Sequence, residues 1–186
     1  MKREGAYKRE KKIYLNPMSK TTMGLWIGTS PRIIFDETES PLIKGKYLKE
    51  VLRHSQEGVP HPTDWENRMQ SFLKEVGAKS WSKFAKTALS CTIELEGDQL
   101  AFLPYRNSGP SENYNFVPIR DRKMTISFNA SDKELGLFLE KAFDASAAVF
   151  SALDPGRAGS GPTEEARTHL AADLQLLSQW NGAASA

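Results

Sequence analysis

The residues of this chain best equipped for covalent or metal chemistry are one cysteine and three histidines: Cys91, His54, His61 and His169. Their contexts argue against catalysis. Cys91 stands in Leu89-Ser-Cys-Thr-Ile93, an apolar stretch that suits a buried thiol, whereas a reactive thiolate needs an electropositive, partly exposed setting. His54 falls on the flank of an amphipathic segment and His61 lies between two prolines, and neither has a sequence partner that suggests ligation or a general base. A lone cysteine permits no internal disulfide, and with three scattered histidines it makes no zinc site of usual spacing. Neither Gly-x-Gly-x-x-Gly nor Gly-x-x-x-x-Gly-Lys-Ser/Thr occurs. No cofactor, no metal and no enzymatic activity are expected.

Two acidic clusters remain, Asp36-Glu37-x-Glu39 and Glu94-x-Glu96-x-Asp98. Carboxylates so grouped could hold Mg²⁺, but both sets fall at strand ends or turns, where solvated charge is ordinary. Asp36, Glu37, Glu39, Glu94, Glu96 and Asp98 are therefore expected to act as complementary charges toward a protein partner, speeding encounter and fixing register. Trp26, Tyr105, Tyr114 and Phe116 could stack on bases if they lined a basic sheet, but their apolar flanks favour core packing. Arg120-Asp-Arg-Lys123 reads as a tight turn between strands.

Charge sharpens this. The 186 residues carry a formal net charge of +2, unevenly placed: residues 1–12 hold six Lys/Arg against two Glu, residues 13–151 balance, and residues 152–186 are mildly acidic. A polyanion binder needs a basic face, and here the excess lies in a short N-terminal segment that reads as a solubilising arm. Nucleic acid is not the expected partner, although a single-stranded nucleic-acid-binding module is the alternative. A charged start without an apolar leader, and the lack of any long apolar run, lead to the expectation of a cytoplasmic protein off the membrane.

The elements that must position these groups follow from periodicity. Strands are predicted at Ile13–Leu15, Gly24–Gly28 and Arg32–Asp36, then an amphipathic helix through Tyr47, Leu48, Val51 and Leu52 that ends before Gly58. Thr63 and Glu66 read as a capping box for a helix with the stripe Trp65, Met69, Phe72, Leu73 and Val76, which stops at Gly77. A short helix over Ser80–Ala88 leads to a hairpin of Leu89–Leu95 and Gln99–Tyr105 around Glu96-Gly-Asp98. After a polar loop come strands Tyr114–Ile119 and Lys123–Phe128, then a helix from the capping box Ser131/Glu134 to about Phe150.

Arg32–Asp36 followed by Tyr47–Ser55 resembles Met124–Phe128 followed by Leu137–Ser146, so an internal repeat of 13–57 and 89–150 is expected. The predicted fold is α+β: antiparallel strands in two related strand-rich halves, each closed by a helix, with extra helices packed on the sheets. The domain would span 13–151, between the arm 1–12 and an Ala/Gly-rich linker and helix at 152–186.

Several segments, in their order, carry a resemblance to a known family: Asn16–Gly28, Ser80–Lys86, Phe102-Leu-Pro104, Glu134-Leu-Gly136-x-x-Leu139 and Ala142–Ser146. Together they resemble CdiI immunity proteins of bacterial contact-dependent growth inhibition systems, over about residues 10–150. The resemblance implies a cytosolic antitoxin that binds the C-terminal toxin domain of a cognate CdiA effector, commonly a nuclease, and blocks it without catalysis.

Overall fold

One of the two central strands of the sheet comes from the segment that the charge count set apart. In the computed structural model, which describes residues 1–109 and 115–153 with side chains through 148, Lys2–Arg9 is strand β1, paired along its whole length with a strand on either side. Residues 1–12 are therefore not an arm. Three of their six basic groups are engaged within the fold through these bonds: Arg3 pairs with Glu94, Lys8 with Glu37 at 3.0 Å, and Arg9 donates to Thr87 Oγ1 at 2.9 Å. The linker, the tail helix, His169 and Tyr114 lie outside the described residues.

Among the described residues, one sheet holds all nine strands. β1 pairs with β2 (Lys12–Thr21), and β2 carries β3 (Trp26–Gly28) and β4 (Ile33–Asp36) on its outer side. β5 (Glu57–Val59) joins the far end of β2 in the sheet's one parallel pairing, after helix α1 (Pro41–Arg53). Helices α2 (Trp65–Glu75) and α3 (Trp81–Ala85) lead to β6 (Leu89–Glu96) and β7 (Gln99–Asn107), with β8 (Phe116–Pro118) and β9 (Met124–Ser127) outside β7 and helix α4 (Asp132–Leu153) closing the order.

β2 runs through Pro17, where the sequence suggested a stop. The Pro17 carbonyl accepts from the Thr29 N–H, so its missing N–H points to the same side, into the gap where β2 changes partner from β4 to β3. The α2 cap also differs from expectation: Asp64, not Thr63, accepts from the Asn67 N–H at 2.9 Å. At α4 the reciprocal bonds Glu134 N–H to Ser131 Oγ (3.3 Å) and Ser131 N–H to Glu134 Oε2 (2.9 Å) are present.

The order β3-β2-β1-β6-β7-β8 reads the same from either end, about an approximate two-fold axis at the facing pair Gly5 and Thr92. β2 carries β4 on its first half and β3 on its second, and β7 carries β9 and β8 in the same way. The likeness extends to single hydrogen bonds. Ser55 accepts from Arg3 N–H (2.9 Å) and donates to the Met18 carbonyl (2.6 Å), while Ser146 accepts from Ser90 N–H (3.4 Å) and donates to the Tyr105 carbonyl (2.5 Å). Each helix is thus pinned to its hairpin, α1 just past its C-terminus and α4 within its length, and the structural unit starts at β1 rather than at residue 13. Ser55→Ala or Ser146→Ala strands a buried donor and acceptor, so each is expected to lower stability by about 1–2 kcal/mol. Urea unfolding reads this; an unchanged midpoint would deny these serines a structural role.

The main core lies between the sheet and the pair α1/α4. Ala6, Ile13, Leu15, Cys91, Ile93, Leu100 and Phe102 meet Leu48, Val51 and Leu52 of α1 and Leu135, Leu139 and Phe143 of α4. A smaller cluster of Tyr14, Leu73, Val76, Phe84 and Ala88 lies on the opposite face of the sheet, under α2 and α3.

Candidate functional site

The acidic residues singled out by sequence fall at two separate places. Asp36 ends β4 opposite Lys12, whereas Glu94 lies opposite Arg3 and Glu96 ends β6 just beyond Lys2. The eight residues of β1 lie between, so the clusters stand roughly 25 Å apart. They cannot form one patch. Two members are engaged internally, Glu37 with Lys8 and Glu94 with Arg3. Asp36 accepts from the Thr38 hydroxyl (2.6 Å) and N–H (2.9 Å), bonds that hold its pKa below the usual carboxylate value. Glu39, Glu96 and Asp98 are exposed and carry no ion pair among the described residues.

Cys91, His54 and His61, which looked best suited to chemistry, are held in structural settings. Cys91 is fully buried, and burial, followed by the charge of Glu4, raises its thiol pKa well above normal. His54 caps α1 beside Glu50, with Nε2 to Oε1 at 3.4 Å, and His61 Nδ1 lies 3.3 Å from Thr21 Oγ1. Arg120–Arg122 is a short 3-10 turn between β8 and β9.

A different feature stands out on the sheet face away from α1 and α4. A cleft of about 560 Å³ opens between α2 and the β2/β3 edge. Tyr7, Trp26, Phe72 and Trp81 supply aromatic walls, and Trp65 and Met69 stand at α2. Tyr7 is half-buried and its hydroxyl pKa is pushed up to about 12, by desolvation first and by Tyr105 second, so it stays neutral. Arg32 pairs with Glu75, donates to Asn16 Oδ1 at 2.8 Å and lies over the Phe72 ring at 5.0 Å. Arg68 of α2 donates to the Gly28 carbonyl at 2.5 Å and ties helix to strand. The cleft holds two arginines and one glutamate, with no grouping of nucleophile and base.

Sequence reasoning favoured the core for Trp26 and placed Trp65 and Met69 on one apolar helix stripe with Phe72, Leu73 and Val76. The structure leaves Trp26 half-buried beneath the Arg3 guanidinium (5.1 Å), and Trp65 and Met69 exposed. Nothing in the local pattern distinguished the covered part of the stripe from the open part.

Comparison with known proteins places this architecture. The family model for the CDI immunity protein, CdiI, matches residues 38–146, more than half of the chain. The chain belongs to the CDI immunity protein family. Within this CdiI family member, the match contains α1 to α3, β5 to β9 and α4 as far as Ser146, while β1 to β4 with Trp26 precede it. The fold is shared with a protein of unknown function from Neisseria meningitidis, at TM-score 0.63 and 17% identity, covering 76% of this chain and 92% of that one. It is also shared with a chain from a CdiA-CT/CdiI toxin and immunity complex from Yersinia pseudotuberculosis, at TM-score 0.61 and 14% identity, covering 76% and 94%. No curated protein sequence matches significantly. Among the described residues, no helix of this CdiI family member is long and apolar enough to cross a membrane.

Proposed function

We propose that this chain is a cytoplasmic antitoxin that binds the C-terminal toxin domain of a cognate CdiA effector, a nuclease in this reading, and neutralises it by covering its active or substrate surface without chemistry of its own. The observation that carries the reading is the immunity-protein match over residues 38–146. Support comes from the structural role of Cys91 and from the absence of a nucleophile–base grouping in the cleft. Exposed Asp36, Glu39, Glu96 and Asp98 add local negative charge that attracts a basic nuclease over a Debye length, although two sites so far apart steer encounter rather than form a single contact.

Co-expression tests it. Cells that produce the C-terminal domain of the effector encoded beside this gene are expected to grow only when the chain is present; continued growth arrest overturns the reading. Reversing Asp36, Glu39, Glu96 and Asp98 to lysine together is expected to slow association about tenfold at low salt and much less at high salt. An unchanged association rate removes these four groups from the encounter.

A further inference from the structure

Helix α2 carries an apolar stripe that its own fold covers at one end. Leu73 and Val76 are buried with Phe84 and Tyr14, whereas Trp65 and Met69 remain 46% and 42% exposed beside the cleft. The approximate two-fold axis provides an internal comparison across the cleft. Trp26 on β3 corresponds to Phe116 on β8, which packs on Tyr7 and Trp81, each with ring centroids 5.8 Å apart. Trp26 has only the Arg3 guanidinium, with no aromatic ring against it among the described residues. Exposed Trp and Met with Arg is the composition of interface centres, in which a few aromatic and arginine side chains carry most of the binding energy.

Charge indicates what the cleft accepts. Arg32 is balanced by Glu75, whereas Arg68 is exposed and uses one donor, on the Gly28 carbonyl. The other four donors of its guanidinium have no partner among the described residues, and their planar fork matches a carboxylate. We infer that the toxin docks here through a loop that presents a carboxylate to Arg68, flanked by apolar side chains that cover Trp65, Met69 and Trp26. This rests on the reading of the chain as a toxin-binding protein and specifies where the toxin is held. The cleft volume, within the usual range of about 300–1,000 Å³ for binding pockets, suits a short segment.

The test titrates the full chain with the purified C-terminal domain of the neighbouring effector by calorimetry. Trp65→Ala and Arg68→Glu are each expected to weaken binding at least ~30-fold, with melting temperature lowered by only a few degrees, because both side chains are exposed and Arg68 gives up one surface hydrogen bond, to the Gly28 carbonyl. Leu42→Ala, an exposed apolar change on α1 outside the cleft, is expected to leave affinity within about twofold. A wild-type chain that binds, with Trp65→Ala and Arg68→Glu binding equally well, overturns the cleft as docking site and leaves the antitoxin reading standing. A wild-type chain that does not bind overturns both. A dimer in light scattering that Trp65→Ala abolishes would give the cleft to a second copy and overturn the inference.

Discussion

Replacing Gly45 or Gly136 with alanine is expected to destabilise the protein by about 3 kcal/mol, even though alanine favours a helix over glycine by roughly 1 kcal/mol. The two glycines occupy equivalent places. Gly45 is the fifth residue of α1 and rests on the first residue of α4, and Gly136 is the fifth of α4 and rests on the first of α1. A Cβ on Gly45 would stand 1.8 Å from the Asp132 carbonyl oxygen, and one on Gly136 would stand 1.9 Å from that of Pro41. Both obstacles are backbone, so no side-chain rotation relieves them. The helices would have to part by about 1.5 Å to reach an ordinary carbon–oxygen contact. That movement would disturb the pairs Lys44–Glu140 (2.6 Å) and Lys49–Asp132 (2.8 Å) and loosen Leu48 against Leu135 and Leu139. Thermal unfolding should shift down by roughly 6–12 °C for either substitution. The double variant should lose less than the two losses added, because helices already parted accept the second methyl. An unchanged or higher melting temperature would show that the backbones do not meet.

Glu4→Met is expected to raise stability by about 2 kcal/mol at pH 7, since it removes a buried carboxyl without hydrogen-bond partners. Glu4 lies in the middle of β1, between Pro17 and Ile93, on the face that bears the main core, and is fully buried. Burial pushes its pKa well above the unfolded value of 4.5. The folded protein therefore holds a proton that the unfolded chain releases. The stability linked to this group is complete below pH 4.5 and falls as pH rises toward the raised folded value. Wild-type urea midpoints should decline from pH 5 to pH 9. Glu4→Gln should flatten that decline while keeping an unpartnered amide, and Glu4→Met should flatten it and shift the whole curve upward, by roughly 1 M urea. A wild-type profile that rises over this range, or Glu4→Met midpoints below wild type, would show that the carboxylate is ionised and stabilising.

Much of the architecture was legible where one residue pattern had one solution. The stripes Leu48-Val51-Leu52 and Leu135-Leu139-Phe143 demand helices against a core, and Gly97-Asp98 between alternating strands demands a turn, with Gly97 at φ +59°. The first hairpin was hidden because its turn is Glu10-Lys11, two side-chain-bearing residues at φ 51° and 62°, without the usual Gly, Asn or Asp. β1 was hidden because Lys-Arg-Glu-Gly-Ala-Tyr-Lys-Arg has no alternating apolar face. It is a strand because β2 and β6 offer it two full ladders, which no local propensity records.

The sequence by itself determined the α+β class, the helices and most strands, the structural status of Cys91, and the resemblance to CdiI immunity proteins. These depend on local periodicity, composition and residue order, which the chain carries in one dimension. Only the tertiary structure decided that the basic N-terminal segment is a central strand, that the six acidic residues divide between two ends of the sheet, and that Trp26, Trp65, Met69 and Arg68 meet around one cleft. Each is a matter of which faces are covered. An apolar stripe on a helix is the same sequence whether the fold buries it or leaves half of it open, and only the packing of α2 on the sheet settles how far the cover extends.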